Sequence, residues 1–224
     1  MSQRTLIWDV PTRVFHWLLA VSFAGAFLTA ESERYRDIHV VLGYTLLGLI
    51  AFRLLWGFIG SRYARFRSFL FKPGEIMAYM ASLLKAKPAH YAGHNPAGSV
   101  SVYLLLALGI ACGITGIVLL QDIGGDALEE LHEFTAYFML TIAGLHVAGV
   151  IVSSLMHREN LVRSMITGFK SAQPKEGIRR AHAWLGVIMV TAVVSFWMGY
   201  PATGLVPTGT NGSHAEHHHH DDDD

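Results

Sequence analysis

Leu128–Leu155 reads LEELHEFTAYFMLTIAGLHVAGVIVSSL, a mostly apolar stretch with an acidic start and two histidines, His132 and His146. It is long enough to cross a membrane as one helix, since about 20 apolar residues span a hydrocarbon core of roughly 30 Å. The histidines are fourteen positions apart. At about 1.5 Å and 100° per residue they stand roughly 21 Å apart along the axis, within about 40° of one face. Ionisable side chains inside a bilayer are costly and face the bundle interior, so their default reading is function. Two imidazoles pointing one way at two depths suit two metal centres, and the rest of the chain should supply their partners.

The 224 residues are 52% hydrophobic and 15% charged. A soluble domain carries nearer a quarter charged residues, and here the apolar residues come in blocks. The sequence predicts helices over Val14–Ala30, Ile38–Ile59, Val100–Leu120, Leu128–Leu155 and Ala181–Tyr200. That is an all-α integral membrane bundle: a four-helix core in residues 1–170, a fifth transmembrane helix in 171–203, and a low-complexity tail in 204–224. A surface helix is expected after Pro73, and Trp8 and Trp17 read as interfacial anchors of the first span. Formal net charge is zero, which argues against nucleic acid as a partner. The lone Cys112 excludes an internal disulfide and reads as a packing residue. No cleaved signal peptide is expected at the N-terminus.

Charge is segregated by connector. Arg62, Arg65, Arg67, Lys72, Lys85 and Lys87 lie between blocks two and three. Arg158, Arg163, Lys170, Lys175, Arg179 and Arg180 lie between blocks four and five. The other two connectors hold Arg34 and Arg36 against Glu31, Glu33 and Asp37, and Asp122 with Asp126. The positive-inside rule then puts the N-terminus in the cytoplasm and the C-terminus outside.

Orientation pairs the histidines by depth. His16 and His146 fall at the cytoplasmic level, His39 and His132 at the outer level. Two neutral imidazoles facing each other across a bundle can clamp a haem iron from both sides. A zinc or di-iron site wants three or more ligands at one depth, and neither level offers such a set. Ala20, Gly43, Ala136 and Gly149 each follow a histidine by one turn and would let a flat cofactor approach the backbone. Gly109, Gly113 and Gly116 read instead as helix-packing residues. His182, at the start of block five, is the alternative partner for His146; His90, His94 and His157 sit in polar connectors and read as non-ligands. Arg13 and Arg53, with Arg34 and Arg36, lie near helix ends where guanidinium groups could meet haem propionates or snorkel to lipid headgroups. Met139 and Met189 read as packing residues. The tail histidines His217, His218, His219 and His220, beside four aspartates, are a candidate divalent-metal site or a tag.

These residues resemble a known family. Trp8-Asp9-Val10-Pro11-Thr12-Arg13-Val14-Phe15-His16-Trp17 is similar to the first-helix signature of the bacterial cytochrome b561 group, which includes the b-type cytochrome subunits of nickel–iron hydrogenases. His39-Val-Val-Leu-Gly43-Tyr44 and Phe52-Arg53-Leu-Leu-Trp56-Gly57 resemble its second helix. Pro88-Ala-His90-Tyr91-Ala-Gly93-His94-Asn95-Pro96-Ala97-Gly98 is similar to its segment before the third helix. The resemblance covers roughly Leu6 to Lys170. It implies two b-type haems with axial ligands at His16, His39, His132 and His146. It also implies electron transfer in the bacterial inner membrane between quinone and a redox partner outside, a periplasmic c-type cytochrome or an oxidoreductase subunit. The competing expectations are a metal-handling membrane protein using the His/Asp tail and a passive membrane anchor of a larger enzyme.

Overall fold

The computed structural model describes residues 3–85 and 89–200. Its elements in chain order are β1 (Gln3–Leu6), α1 (Val10–Thr29), α2 (Arg36–Ile59), α3 (Pro73–Leu84), α4 (Pro96–Leu120), α5 (Gly125–His157), α6 (Leu161–Thr167), β2 (Phe169–Ala172) and α7 (Ala183–Gly199). Four helices, α1, α2, α4 and α5, are long and apolar enough to cross a membrane. The fold is a membrane helical bundle. Large apolar side chains face outward along it, among them Leu28, Phe134, Leu145 and Met198. Such a surface suits lipid, not water.

Helix starts follow local chemistry that places them earlier than apolar blocks alone. Asp9 caps α1, its Oδ1 accepting from Thr12 N at 2.8 Å, with Pro11 in the first turn. Asn95 caps α4 the same way, accepting from Gly98 N at 2.7 Å ahead of Pro96. Each cap satisfies a donor that the helix itself leaves open. Thus α1 begins at Val10, not Val14, and α4 at Pro96, not Val100. At 33 residues α5 is roughly 50 Å long and overshoots the hydrocarbon core. The block read as a fifth span is α7, an apolar helix of 17 residues. It packs on α1, where a Cβ on Gly186 would lie 2.5 Å from Val10 Cγ1.

The chain also builds a platform that hydrophobic periodicity does not reveal. Strand β1 pairs antiparallel with β2, Gln3 opposite Ala172 and Leu6 opposite Phe169. Residue 170, read as the end of the core, lies inside β2. Ile7 N and Trp8 N both donate to Gly168 O, and Val10 N donates to Ala181 O. Trp8 is therefore not an interfacial anchor: it is 5% exposed and packs with Ile7, Tyr63 and Ala172. Trp17 stays partly exposed, its Nε1 donating to Met165 O at 3.3 Å. This platform closes the end of the bundle that carries the Arg/Lys-rich connectors, the basic end. The other end carries the acidic connectors.

Within the bundle, α1 packs on α2, α2 on α4, and α4 closely on α5. Phe15, Leu49, Ile50, Leu106 and Met189 tie α1, α2, α4 and α7 together. Gly113 permits the α2–α4 approach: a Cβ there would run into Leu47 Cδ2. The backbone of α5 does not approach α1 or α2 comparably. Side chains bridge that separation, and the histidines are among them.

Candidate functional site

The α5 histidines meet the α1 and α2 histidines at two levels. The rings of His16 and His146 face across the α1–α5 separation with centroids 6.5 Å apart. Those of His39 and His132 face across α2–α5 at 6.2 Å. These distances can be set against two kinds of contact. A direct ring-to-ring hydrogen bond, with about 2.9 Å between nitrogens, would bring centroids to about 5 Å. One metal atom between two ring nitrogens, each bond about 2 Å, would set them roughly 6.3 Å apart. Both pairs match the second spacing.

Hydrogen bonds at the acidic-end pair fix which ring nitrogen is free. His39 Nδ1 lies 2.8 Å from Ala26 O. That carbonyl is in the last turn of α1, where the helix supplies no amide partner. A carbonyl only accepts, so Nδ1 carries the proton and Nε2 keeps its lone pair. His132 Nδ1 lies 2.9 Å from Thr115 Oγ1. The Thr115 hydroxyl proton already points to Ala111 O and Cys112 O, both at 3.0 Å. The hydroxyl oxygen is therefore the acceptor, and His132 Nε2 has only the weak Cys112 thiol as a neighbour, at 4.0 Å. Gly116 lets the His132 ring lie against α4, since a Cβ would come within 3.1 Å of its Cε1. Cys112 Sγ is 3.8 Å from His132 Nδ1, so the cysteine lines this level as a half-buried packing residue.

The basic-end pair is held differently. His16 packs edge-on against Trp17 at 5.1 Å, and its buried Nδ1 has no hydrogen-bond partner among the described residues. Around it the platform gathers polar groups in a nearly dry setting. Asp9 is fully buried, and its Oδ2 accepts from Trp56 Nε1 at 3.0 Å. Arg53, 2% exposed, lays its guanidinium over Phe66 at 4.9 Å, and its Nη1 has no hydrogen-bond partner among the described residues. Arg13 is instead engaged with backbone, donating to Ile166 O and to Asp9 O. His94 packs on Phe69 at 4.4 Å and on Trp8 at 4.8 Å. Burial first, and then the Arg53 guanidinium, push His94 down to about 3, so it is neutral at neutral pH.

His94 is the residue that position in the sequence undervalued. It sits in a polar connector by composition, yet the fold turns it inward against Phe69 and Trp8, within electrostatic reach of His16 and His146. The signal was the string His94-Asn95-Pro96, whose Asn95 cap holds the preceding residue against the bundle. The alternative ligand His182 lies elsewhere, its ring 5.4 Å from Trp56. His90 and His157 pair with each other at 5.4 Å near Glu159, away from both levels. Arg34 stacks on Tyr35 at the acidic end. Met139 and Met189 are buried packing residues. The tail histidines His217–His220 lie outside the described residues. Among the described residues no group of three or more His, Cys, Asp or Glu gathers as a metal cluster. The donor set is two imidazoles per level, and it fits bis-histidine ligation of a flat macrocycle. A Cβ on Gly43 or Gly149 would meet nothing within 4 Å, so neither glycine is required by packing within the chain.

Residues 7–168 match the family model described as prokaryotic cytochrome b561. The chain is similar to a probable Ni/Fe-hydrogenase B-type cytochrome subunit of Rhizobium leguminosarum bv. viciae, 23% identical over 78% of this chain and 92% of that protein. It is also similar to one of Azotobacter vinelandii, 22% identical over 73% and 87%. A third, the probable Ni/Fe-hydrogenase 1 B-type cytochrome subunit of Escherichia coli K12, is 21% identical over 74% and 90%. No solved structure matches the chain.

Proposed function

We propose, for a chain that belongs to the prokaryotic cytochrome b561 family, that it is a di-haem b-type cytochrome carrying electrons across the bacterial inner membrane. The observation that supports this most is the pair of imidazole couples, 6.5 and 6.2 Å apart, on one face of α5. In this reading His16 with His146 and His39 with His132 are the axial ligands. Haem, when bound, supplies a one-electron ferrous–ferric couple. The protein's share is ligation, spacing and tuning. Helix α5 sets the two levels roughly 21 Å apart along its axis. Ala26 O and Thr115 Oγ1 fix the tautomers of His39 and His132. Arg53, buried without an anion, is the stronger propionate contact; Arg13 is the weaker, because backbone carbonyls already engage it.

The partners follow from the relatives and the charge pattern. The relatives are named as subunits of Ni/Fe hydrogenases, which favours an oxidoreductase subunit over a free c-type cytochrome as the periplasmic partner. Quinone in the bilayer is the other partner in this reading. The basic connectors support a cytoplasmic N-terminus and platform, with α7 as a short fifth span in this reading.

The purified chain, expressed with ample haem supply, should give a b-type reduced-minus-oxidised spectrum with two haems per chain. A colourless protein overturns the reading. A protease added outside intact cells should cut the connector before α5 and spare the one holding α3; the opposite pattern inverts the orientation.

A further inference from the structure

Arg53 is an expensive residue as it stands. A guanidinium cannot shed its charge at any accessible pH, and an unpaired buried charge is strongly destabilising. Its nearest counter-charge, Asp9, makes no ion pair with it; that carboxylate is hydrogen-bonded to Thr12 N and Trp56 Nε1. Aromatic faces partly offset the cost, Phe66 at 4.9 Å and Phe69 at 5.8 Å from the guanidinium carbon. They offer no acceptor to Nη1. On the same Phe69 ring rests His94, whose Nδ1 is also sealed from solvent without a partner among the described residues. Buried polar groups in folded proteins are nearly always satisfied. Two orphans on one aromatic ring point to a shared acceptor that the described residues do not provide.

Position says what that acceptor is. The groups whose charge His94 feels are Arg53, His146, Lys170 and His16. Lys170 is already engaged, donating to Tyr91 O at 2.8 Å. What remains is a cation and a ring nitrogen on one Phe69 ring, within electrostatic reach of the His16–His146 couple. A haem presents two carboxylates on its rim, and a carboxylate accepts from a guanidinium and an imidazole together.

We propose that Arg53 and His94 form a two-armed seat for a propionate of the haem held by His16 and His146, so that His94 is a positioning residue for that haem. The proposal rests on the haem reading above. It gives the basic-end haem one fixed orientation, with a propionate turned toward the platform. It also makes α4's Asn95 cap functional, since the cap holds the residue before it in place.

The test is a redox titration of both haems in the intact, haem-loaded protein; the basic-end haem is the one lost in His146→Ala. An uncompensated propionate favours ferric iron. Arg53→Leu should therefore lower the basic-end midpoint by about tenfold in the ferrous-to-ferric ratio, about 59 mV for one electron. His94→Leu should lower it about threefold. Neither should move the acidic-end haem. His94→Asn places an amide near Nδ1 and should restore most of the loss, and Arg53→Lys should retain part of it. With haem dimethyl ester, whose rim carries no charge, the difference between wild type and His94→Leu should vanish. An unmoved basic-end midpoint in His94→Leu, a shift that persists with the ester, or no rescue by His94→Asn overturns the proposal. Should Arg53→Leu fail to assemble, the His94 pair and Arg53→Lys still decide it. Retention of both haems in His146→Ala is a different result, and it sinks the underlying haem reading instead.

Discussion

The two histidine levels differ in how their rings are held. At the acidic end both imidazoles give Nδ1–H to a fixed oxygen, a carbonyl for His39 and a hydroxyl for His132. At the basic end His16 Nδ1 has no such partner among the described residues, and the ring packs against Trp17. An acceptor on Nδ1 raises the basicity of the other nitrogen and so favours ferric iron. The basic end has in addition the buried Arg53 cation, which favours ferrous iron. In the proposed di-haem reading the same ligand chemistry is thus placed in two electrostatic settings. The acidic-end haem should have the lower potential, making transfer toward the basic end downhill.

The largest expected effect is the loss of one level alone. His146→Ala should remove one haem per chain and His132→Ala the other, read as haem-to-protein ratio; a variant that loses both would mean the levels are not independent. Asp9→Ala attacks the basic end through its frame. It deletes the α1 cap and strands the Trp56 indole, together roughly 2–4 kcal/mol. Heating in detergent should then release the basic-end haem first, and simultaneous release of both contradicts the asymmetry. Thr115→Val removes the acceptor for His132 Nδ1, together with the hydroxyl's own bonds to Ala111 O and Cys112 O. A hydrogen bond of about 1 kcal/mol corresponds to roughly 40 mV, so the acidic-end midpoint should rise by that much while the other stays. Cys112→Ser should do least, since sulfur at 3.8 Å is a weak partner. A shift matching that of Thr115→Val would reassign the His132 acceptor.

The legible part of this protein is the part built on local repeats. Apolar block lengths gave the helices, and the helical period put His132 and His146 on one face. Charged connectors sorted the histidines by depth. Block reading went wrong where a cap governs instead of hydropathy, as at Asp9 and Asn95, which start α1 and α4 four residues early. It also went wrong at Trp8, because an aromatic residue before a span looks the same whether it meets lipid or a platform.

By itself the sequence determined an apolar helical bundle with four histidines at two depths, because hydrophobic spacing and helical phase are written within a few turns of chain. Only the tertiary structure decided that β1 joins β2, that Arg13 reaches Ile166, that Trp56 finds Asp9 and that Arg53 and His94 share Phe69. These contacts join residues far apart in the chain, and no local periodicity encodes which distant partner a buried polar group will meet.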